Sequence, residues 1–323
     1  MVDDAPLRVV FLGTPEFALP TLDAILLSRH TVVGVVTQPD RPRGRGQKSA
    51  PSAIAEAAEA LAAPVMKPEG LRSAAARESL AALSADLFAV VAFGEIFSPE
   101  LLRLPRLGCI NLHGSLLPRY RGAGPVQRAL WDGCAGTGVT TMWMEEGIDT
   151  GDCILQRWVG ILPTDDAGSL SARLAELGAP ILAESLLLAH AGRAPRRPQE
   201  KAAVSHAPKL KKQDGVVSWA LDAVTVWNRQ RAVTPWPGAA TAHRGRRLLL
   251  MRAWPHHMLS VADEPGTVLG IFDSGVAVAC RPGVLLVERV KPEGRNEMTA
   301  ADWARGARIE RGERLAIAEE AHA

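Results

Sequence analysis

The chain has 323 residues, of which 47% are hydrophobic and 22% are charged, and its formal net charge is +2. This length and composition predict a soluble globular protein with room for two domains, each with its own core. Residues 1–206 hold 20 Lys/Arg against 22 Asp/Glu, and residues 207–323 hold 17 against 13. So small a basic surplus is by itself only a weak indication of a polyanionic partner.

Simple patterns exclude several classes of protein. The four cysteines are scattered without a CxxC pair, which favours buried small hydrophobes over a zinc site or a disulfide framework. The apolar run Leu7–Leu12 is too short and wrongly flanked for a signal peptide. No stretch approaches the ~18 apolar residues of a membrane span. The sequence therefore predicts a cytoplasmic, reduced protein.

The first part of the chain alternates apolar strands with helical patterns. The predicted strands are Leu7–Leu12, Thr31–Val36, Leu87–Ala92, Cys109–His113, Val139–Met144 and Cys153–Val159. The predicted helices are Phe17–Leu27, Ala53–Ala62, Ser73–Leu83, Pro125–Trp131 and Ser169–Ala189. This alternation predicts an α/β domain over residues 1–191, with an open, mostly parallel sheet that is covered on both faces. Ligands bind such sheets beyond the carboxyl ends of the strands.

The later part of the chain has a different texture. Residues 192–212 combine many cations with three prolines and a single acid, Glu200, which predicts an exposed basic linker. The helix Ala220–Arg231 and the turn Pro235–Gly238 follow. The strands predicted beyond them are Ala239–Ala242, Arg247–Ala253, Gly266–Ile271, Val276–Ala279 and Val284–Val290. Short strands with close turns predict a small β-barrel over residues 213–323.

The strongest chemical signal is an amide and an imidazole placed two residues apart. Asn111 and His113 stand at the end of a predicted strand and precede a Pro/Gly loop that runs to Gly122. Positions i and i+2 of a strand share a face, so both side chains point the same way. Asp149 adds a carboxylate in a Gly-flanked turn. A donor, a titrating base and an acid suffice for acyl-type chemistry without a metal.

These motifs are similar to those of the methionyl-tRNA formyltransferase family. The resemblance covers nearly the whole chain and also includes Phe11–Phe17 and Arg231–Gly238. It implies a Rossmann-like formyltransferase domain followed by a C-terminal OB-like β-barrel. It further implies transfer of a formyl group from 10-formyltetrahydrofolate to the α-amino group of methionyl initiator tRNA, in support of translation initiation. We expect the protein to be a monomer.

The resemblance assigns catalysis to Asn111, His113 and Asp149. Negative charge builds on the formyl oxygen as the amine attacks, and Asn111 and protonated His113 can donate hydrogen bonds to it. Asp149 can take or relay the amine proton and orient His113. A structural His and a turn-stabilising Asp are the alternative interpretations.

The folate is expected along three loops. The residues assigned to it by the resemblance are Phe93, Gly94, Glu95, Ile96, Ser115, Leu116, Leu117, Pro118, Thr150 and Gly151. Phe93 stands where the family commonly has Tyr, and Phe97–Ser98 stands where it has Leu-Pro. Because aromatic character is kept, we expect retained binding with altered wall contacts. A buried strand end is the alternative interpretation of this segment.

Two cationic segments are expected to bind the tRNA. The Pro/Gly-rich segment Gln38–Lys48 suits a flexible loop that orders on phosphates. The tRNA-binding residues predicted from both segments are Arg41, Arg43, Arg45, Lys48, Lys209, Lys211 and Lys212. Solvated surface charge is the alternative. In the barrel, surface arginines such as Arg244 and Arg252 are more weakly implicated, and Trp236 is expected to be a packing anchor.

Four other functions compete with this interpretation. The acceptor could be a nucleotide-linked amino sugar or a glycinamide ribonucleotide, although enzymes of the latter kind usually lack the long C-terminal domain. A non-catalytic tRNA-binding protein would not need Asn111, His113 and Asp149 together. A nucleotide-dependent oxidoreductase is disfavoured, since Gly13–Phe17 is not a GxGxxG sequence.

Overall fold

The structure is a computed structural model and describes residues 5–43, 48–59, 64–256 and 261–318. Of residues 41–49, only the backbone of 41–43 and 48–49 is described. The chain divides into two compact units, which we call the N-terminal unit (1–125, 136–160 and 171–208) and the C-terminal unit (126–135, 161–170 and 209–323). The domain boundaries predicted at residues 191 and 213 stay a prediction.

The elements follow one another along the chain as strands and helices. The strands are β1 (Arg8–Gly13), β2 (Thr31–Val36), β3 (Arg41–Arg43), β4 (Lys48–Ala50), β5 (Val65–Met66), β6 (Leu87–Val91), β7 (Cys109–His113), β8 (Gly136–Trp143), β9 (Cys153–Gly160), β10 (Ala239–His243), β11 (Arg246–His256), β12 (Val268–Phe272), β13 (Gly275–Ala279), β14 (Val284–Pro292), β15 (Met298–Thr299) and β16 (Ala316–Ile317). The helices are α1 (Leu19–Leu26), α2 (Ala53–Glu59), α3 (Ala74–Ala82), α4 (Pro99–Leu102), α5 (Pro125–Trp131), α6 (Ala167–His190), α7 (Ala223–Ala232) and α8 (Ala300–Ala307).

The N-terminal unit is built on one sheet with the strand order β5-β2-β1-β6-β7-β8-β9. The strands from β5 to β7 are parallel, and β8 and β9 are antiparallel to their neighbours. Near-continuous burial of β1 and β6 reflects a sheet that is covered on both faces. The predicted Rossmann-like, mostly parallel fold is confirmed.

The C-terminal unit contains an antiparallel sheet in the order β12-β13-β14-β11-β10-β16, with β15 paired to β14. Apolar side chains such as Trp219, Leu248 and Val287 form its core. The helix α8 packs against this sheet and is capped at its N-terminus by Thr299, whose side chain accepts a hydrogen bond from the backbone N–H of Asp302. The predicted OB-like fold is confirmed, and α8 is an addition to the predicted elements.

Close packing of α6 against β7 shows which way the side chains of this internal strand face. A Cβ atom on Gly178 of α6 would come within 2.6 Å of Leu112 Cδ2, so the glycine lets the helix lie close against the strand. Leu112 therefore faces α6, as the alternation of β7 predicts, and its neighbours Asn111 and His113 face away.

The hydropathy of the described helices gives no candidate for a membrane span, even in α6 with its 24 residues.

Candidate active site

His113 ends β7 and is almost completely buried. Its Nε2 lies 2.9 Å from the backbone oxygen of Tyr120. Since a carbonyl only accepts hydrogen bonds, Nε2 carries the proton in the neutral ring and Nδ1 carries the lone pair. Nδ1 lies 3.6 Å from Asp149 Oδ2, which is too long for a hydrogen bond but close enough for an ion pair once the imidazole is protonated.

Asp149 approaches His113 from the turn that connects β8 and β9. Its backbone is left-handed, with φ at 53°, which is uncommon for a residue with a side chain. The carboxylate Oδ2 accepts a hydrogen bond of 2.7 Å from the backbone N–H of Gly122. The structure thus brings together the imidazole and the carboxylate that the sequence predicts 36 residues apart.

Asn111 lies two residues before His113 in the same strand and is partly exposed. Strand alternation places its amide on the face of β7 that carries His113, opposite Leu112. The edge of the sheet therefore presents an amide donor beside an imidazole whose protonated nitrogen is already fixed.

The loop that follows His113 is held by hydrogen bonds to neighbouring strands. Thr140 Oγ1 donates to the Ser115 carbonyl at 2.7 Å and accepts from the Leu117 N–H at 3.1 Å. Gln156 Nε2 donates to the Leu117 carbonyl at 2.8 Å. Ser115, which the sequence predicts as a folate residue, is fully buried and donates to the Arg119 carbonyl at 2.6 Å. Its hydroxyl braces the loop.

Sequence reasoning missed the residues that hold the turn of Asp149. Gln199 donates to the backbone oxygens of Asp149 and Gly151, and it accepts hydrogen bonds from Arg121. Gln199 lies in the predicted basic linker, a segment that belongs to the N-terminal unit as far as Pro208. The only sequence signal was an uncharged amide within a cationic stretch.

The predicted folate loop after β6 contains both buried and exposed residues. Phe93 and Phe97 are each 3% exposed and pack edge to face, with ring centroids 6.4 Å apart. Glu95 accepts hydrogen bonds from Gln38 Nε2 at 2.9 Å and from the Leu71 N–H at 3.0 Å. Gly94 is exposed at the surface of the loop, and Ile96 is 51% exposed. The side chains of Phe93 and Glu95 therefore stabilise the loop, and its backbone and Ile96 remain accessible.

The remaining predicted folate residues lie around the active-site loops. Leu117 is 4% exposed and packs with Met142 and Cys153. Leu116, Pro118 and Thr150 are partly exposed, and Gly151 is buried. A Cβ atom on Gly151 would lie 1.8 Å from the Trp143 backbone oxygen, so only glycine fits this turn.

An open cavity of about 430 Å³ lies on the side of the Asp149 turn that faces α4. It is lined by Pro99, Leu102, Arg103, Met144, Glu145, Glu146 and Gly147. Its volume is within the range of small-molecule sites. It borders two segments of the predicted folate site along the chain, since Pro99 follows Ile96 by three residues and Gly147 precedes Thr150 by three.

The predicted tRNA-binding residues fall in two places. Lys209, Lys211 and Lys212 are exposed at the start of the C-terminal unit. Arg45 lies outside the described residues. Arg41, Arg43 and Lys48 belong to β3 and β4, which form a two-stranded antiparallel ladder, and only their backbone is described.

Other cations predicted as weaker candidates are engaged within the C-terminal unit. Arg244 pairs with Glu313 at 2.8 Å, and Arg252 pairs with Glu288 at 3.1 Å. Trp236, which the sequence predicts as a packing anchor, is 52% exposed. Almost half of this residue is covered, so the packing role of Trp236 stays a prediction.

Models of two protein families match this chain, one in each of its two parts. A model described as formyl transferase matches residues 7–186, and a model described as formyl transferase, C-terminal domain, matches residues 209–308.

Curated relatives match nearly the whole chain. It is 43% identical over 311 residues to the methionyl-tRNA formyltransferase of Geobacter sulfurreducens, covering 96% of this chain and 97% of the relative. It is 43% identical over 309 residues to the protein of the same name from Moorella thermoacetica, covering 96% and 99%. The protein of that name from Symbiobacterium thermophilum is 45% identical over 310 residues, covering 96% and 95%.

Solved structures share the fold. The N-formyltransferase from Helicobacter canadensis in complex with folinic acid and dTDP-3-aminofucose has a TM-score of 0.66 at 16% identity, covering 87% of this chain and 99% of that one. HypX from Aquifex aeolicus in complex with tetrahydrofolic acid has a TM-score of 0.64 at 19% identity, covering 92% of this chain and 47% of that one.

Proposed function

Because the chain belongs to the methionyl-tRNA formyltransferase family, we propose that it transfers a formyl group from 10-formyltetrahydrofolate to the α-amino group of methionyl initiator tRNA. The main support for this proposal is the distance of 3.6 Å between Nδ1 of the buried His113 and Oδ2 of Asp149. Asn111 lies in the same strand as His113, at the edge formed by the carboxyl ends of the strands of the sheet. Such an edge is the usual ligand site of an open α/β sheet. The reaction supplies formylated methionine for translation initiation.

In the proposed reaction, the amine nitrogen attacks the formyl carbon and its electron pair forms the new C–N bond. The carbonyl π electrons move to oxygen, and the side-chain N–H of Asn111 stabilises this charge by a hydrogen bond. Collapse of the tetrahedral intermediate breaks the bond between the formyl carbon and the folate nitrogen. The products are the formylated amine and tetrahydrofolate.

The proton of the attacking amine passes through His113. Its Nε2–H is held by the Tyr120 carbonyl, so its Nδ1 lone pair is the basic position. The carboxylate of Asp149, 3.6 Å from Nδ1, stabilises the imidazolium that forms. The imidazolium then returns the proton to the departing folate nitrogen, and the enzyme is restored.

Covalent catalysis by a nearby thiol is not part of the proposal. Cys109 begins β7, and burial raises the pKa of its thiol to about 12. It therefore stays protonated and unreactive at neutral pH.

We propose that the folate lies against the loops after β6 and β7 and the turn of Asp149. The exposed backbone around Gly94 and the side chain of Ile96 support this placement, as does the cavity of about 430 Å³ bordered by Gly147. A few placed polar groups among apolar walls are typical of such sites. We expect bound folate to protect the backbone amides of residues 93–97 and 147–151 from hydrogen exchange.

We propose that Lys209, Lys211 and Lys212 bind tRNA phosphates, since all three are exposed and phosphate contacts supply affinity rather than sequence choice. The basic hairpin of β3 and β4 would contact the same tRNA through Arg41, Arg43, Arg45 and Lys48. We propose further that the protein is cytoplasmic and monomeric. Light scattering of the purified chain measures the second property directly.

One assay tests the proposed function. Purified protein is incubated with 10-formyltetrahydrofolate and, in separate reactions, charged initiator tRNA, charged elongator tRNA and a nucleotide-linked amino sugar. Formylation of the initiator tRNA in clear preference to the other two acceptors is the expected result. Formylation of the sugar nucleotide alone, or of no acceptor, would refute the proposal.

A further inference from the structure

Gln199 makes four hydrogen bonds that join the turn of Asp149 to the loop of Arg121. Its Nε2 donates to the Asp149 carbonyl at 2.9 Å and to the Gly151 carbonyl at 2.8 Å. Its Oε1 accepts from Arg121 Nε at 3.0 Å and from Arg121 Nη2 at 2.8 Å. Both donors and both acceptor positions of the amide are therefore used.

The chemistry of its neighbours fixes the orientation of this amide. A guanidinium group only donates and backbone carbonyls only accept. If the amide were turned by 180°, its NH₂ group would face the Arg121 donors and its oxygen would face two carbonyl oxygens. The amide of Gln199 therefore has one orientation, and two hydrogen bonds from the Arg121 guanidinium group to its Oε1 fix its position.

The turn that Gln199 holds needs such support. Asp149 has a φ of 53°, a left-handed conformation that is uncommon for a residue with a side chain and persists only where the surrounding structure holds it. Its carbonyl and that of Gly151, two residues later, are the two oxygens bound to Gln199. The amide therefore spans the turn and stabilises the backbone on both sides of Thr150.

Arg121 carries the same constraint to the other half of the site. It directly precedes Gly122, whose N–H donates to the Asp149 carboxylate. The Arg121 backbone is itself held, since its N–H donates to the Ser205 carbonyl at 2.9 Å and its carbonyl accepts from Ala207 at 2.7 Å. Arg121 therefore holds the segment in which Gly122 binds the carboxylate, and through Gln199 it also holds the backbone that carries the carboxylate.

We infer that Gln199 is a positioning residue for the proposed reaction, which together with Arg121 holds the Asp149 carboxylate at its working distance from His113. The inference rests on the proposed function only for its kinetic consequences. Gln199 touches neither of the reacting groups directly. Gln199 acts by restricting the positions that the Asp149 carboxylate can adopt when the His113 imidazolium forms.

The decisive variant is Gln199→Glu, which keeps the shape of the side chain and removes both N–H donors. Its carboxylate still pairs with Arg121 but faces two carbonyl oxygens that it cannot bind. A misplacement of about 1 Å can lower a rate by about 10²-fold, so we expect kcat to fall by roughly 10- to 100-fold. The KM values for both substrates should stay within about twofold, since neither substrate is bound by Gln199.

A neighbouring residue provides the matched control. Glu200→Gln changes the next side chain, which is exposed, and should leave kcat and KM unchanged. Arg121→Lys is a second variant that keeps the charge and loses the two-pronged grip on Gln199. It should show the same selective loss of kcat, and it replaces Gln199→Glu if that variant fails to fold.

A double-mutant cycle separates positioning from general structural support. If Gln199 acts through Asp149, then Gln199→Glu should lower the single-turnover rate of an Asp149→Asn protein by less than about threefold. A residue that merely supports the fold would lower it by the same factor in both backgrounds. The inference would be overturned if the two substitutions lowered the rate by independent factors that multiply in the double variant. It would also be overturned if Gln199→Glu left kcat unchanged or altered only KM.

A crystal structure of Gln199→Glu tests the geometry without any assay of activity. We expect the distance from His113 Nδ1 to Asp149 Oδ2, 3.6 Å here, to increase by about 1 Å or more, or the turn to become disordered. An unchanged distance would overturn the inference even if the protein formylates tRNA. Conversely, a displaced Asp149 in a protein that formylates no tRNA would refute the proposed function alone.

Discussion

The active-site residues and the exposed lysines of the C-terminal unit differ in their burial and in how firmly their side chains are held. His113 is 6% exposed, and its ring is fixed by the Tyr120 carbonyl. Lys209, Lys211 and Lys212 are exposed to solvent. Transfer of a proton requires atoms fixed to within a fraction of an ångström, whereas attraction of phosphates by charge acts over several ångströms and tolerates flexible side chains. The contrast predicts that substitutions in the first region lower kcat and that substitutions in the second raise KM.

The largest effect is expected at the three catalytic positions. Asn111→Ala, His113→Ala and Asp149→Ala should each lower kcat by about 10²–10³-fold, because each removes a group that stabilises charge in the transition state. Rapid-quench measurement of formyl transfer gives the rate, and circular dichroism establishes that the fold survives. The exposed His256 offers a control, His256→Ala, with unchanged turnover. Near-normal turnover in any one of the three would remove that residue from the catalytic set.

The next largest effect concerns the rigidity of the Asp149 turn. In Gly151→Ala the new Cβ would lie 1.8 Å from the Trp143 carbonyl oxygen, so the backbone must shift. We expect the free energy of unfolding to fall by about 3 kcal/mol, measured by urea denaturation. In Gly160→Ala the added Cβ meets only Trp158 at 3.4 Å, so this variant should lose no more than ~0.5 kcal/mol. Equal stability of the two variants would contradict the close approach.

A smaller effect is expected for the lysines. Replacing Lys209, Lys211 and Lys212 together by alanine should raise the KM for tRNA roughly tenfold and leave kcat within about twofold. Each lost phosphate contact lowers the slope of log affinity against log salt by about 0.7–0.9, so the triple variant should lose about 2–3 units of slope. Titration of tRNA binding at several salt concentrations measures it.

The control for the lysine variant is a protein of equal charge. Arg305, Arg308 and Arg311 are exposed in the same unit and are replaced together by alanine. If the two triple variants have the same tRNA affinity and salt slope, net charge alone accounts for the effect and the lysine site is refuted.

The smallest effect is a pH dependence of stability in the C-terminal unit. Hydrogen bonds from His243, the Glu310 backbone and Arg244 hold the pKa of Glu313 at about 2, against an ordinary 4.5. A depressed carboxyl pKa contributes stability that is present above pH 4.5 and is lost as the pH falls towards 2. The Tm difference between the unaltered protein and Glu313→Gln should therefore be greatest above pH 4.5 and shrink towards zero near pH 2.

Scanning calorimetry across this range checks the last prediction. Glu293→Gln, at an exposed position of the same unit, serves as the control. A Tm difference for Glu313→Gln that is constant from pH 5 to pH 2 would show that the His243 and Arg244 contacts contribute no charge-dependent stability.

Much of the fold follows from local patterns. The bounds of β2, β7 and α5 agree with those predicted from the sequence. The strand β2 is a continuous apolar run, β7 alternates and α5 has helical spacing, and each has Gly or Pro residues close to its ends. The sequence did not predict β5 or β16, each of two residues. Strands this short carry no periodicity, and they exist because a neighbouring strand offers unpaired backbone groups.

The segment Gln38–Lys48 shows the limit of compositional reasoning. Its prolines, glycines and cations predict a flexible loop, yet the backbone of β3 pairs with that of β4. The composition of a segment indicates the conformational entropy that is lost when the segment becomes ordered. It does not indicate the cross-strand hydrogen bonds that offset this loss.

The sequence by itself determined the two folds, the strand that carries Asn111 and His113, and the identity of the carboxylate. Hydrophobic periodicity, turn residues and family resemblance are encoded locally, so they can be read without coordinates. Only the tertiary structure decided the tautomer of His113, the grip of Arg121 on Gln199, and the assignment of residues 126–135 and 161–170 to the C-terminal unit. The physical reason is distance along the chain: Arg121 and Gln199 are 78 residues apart, and such a contact depends on the path of every element between them.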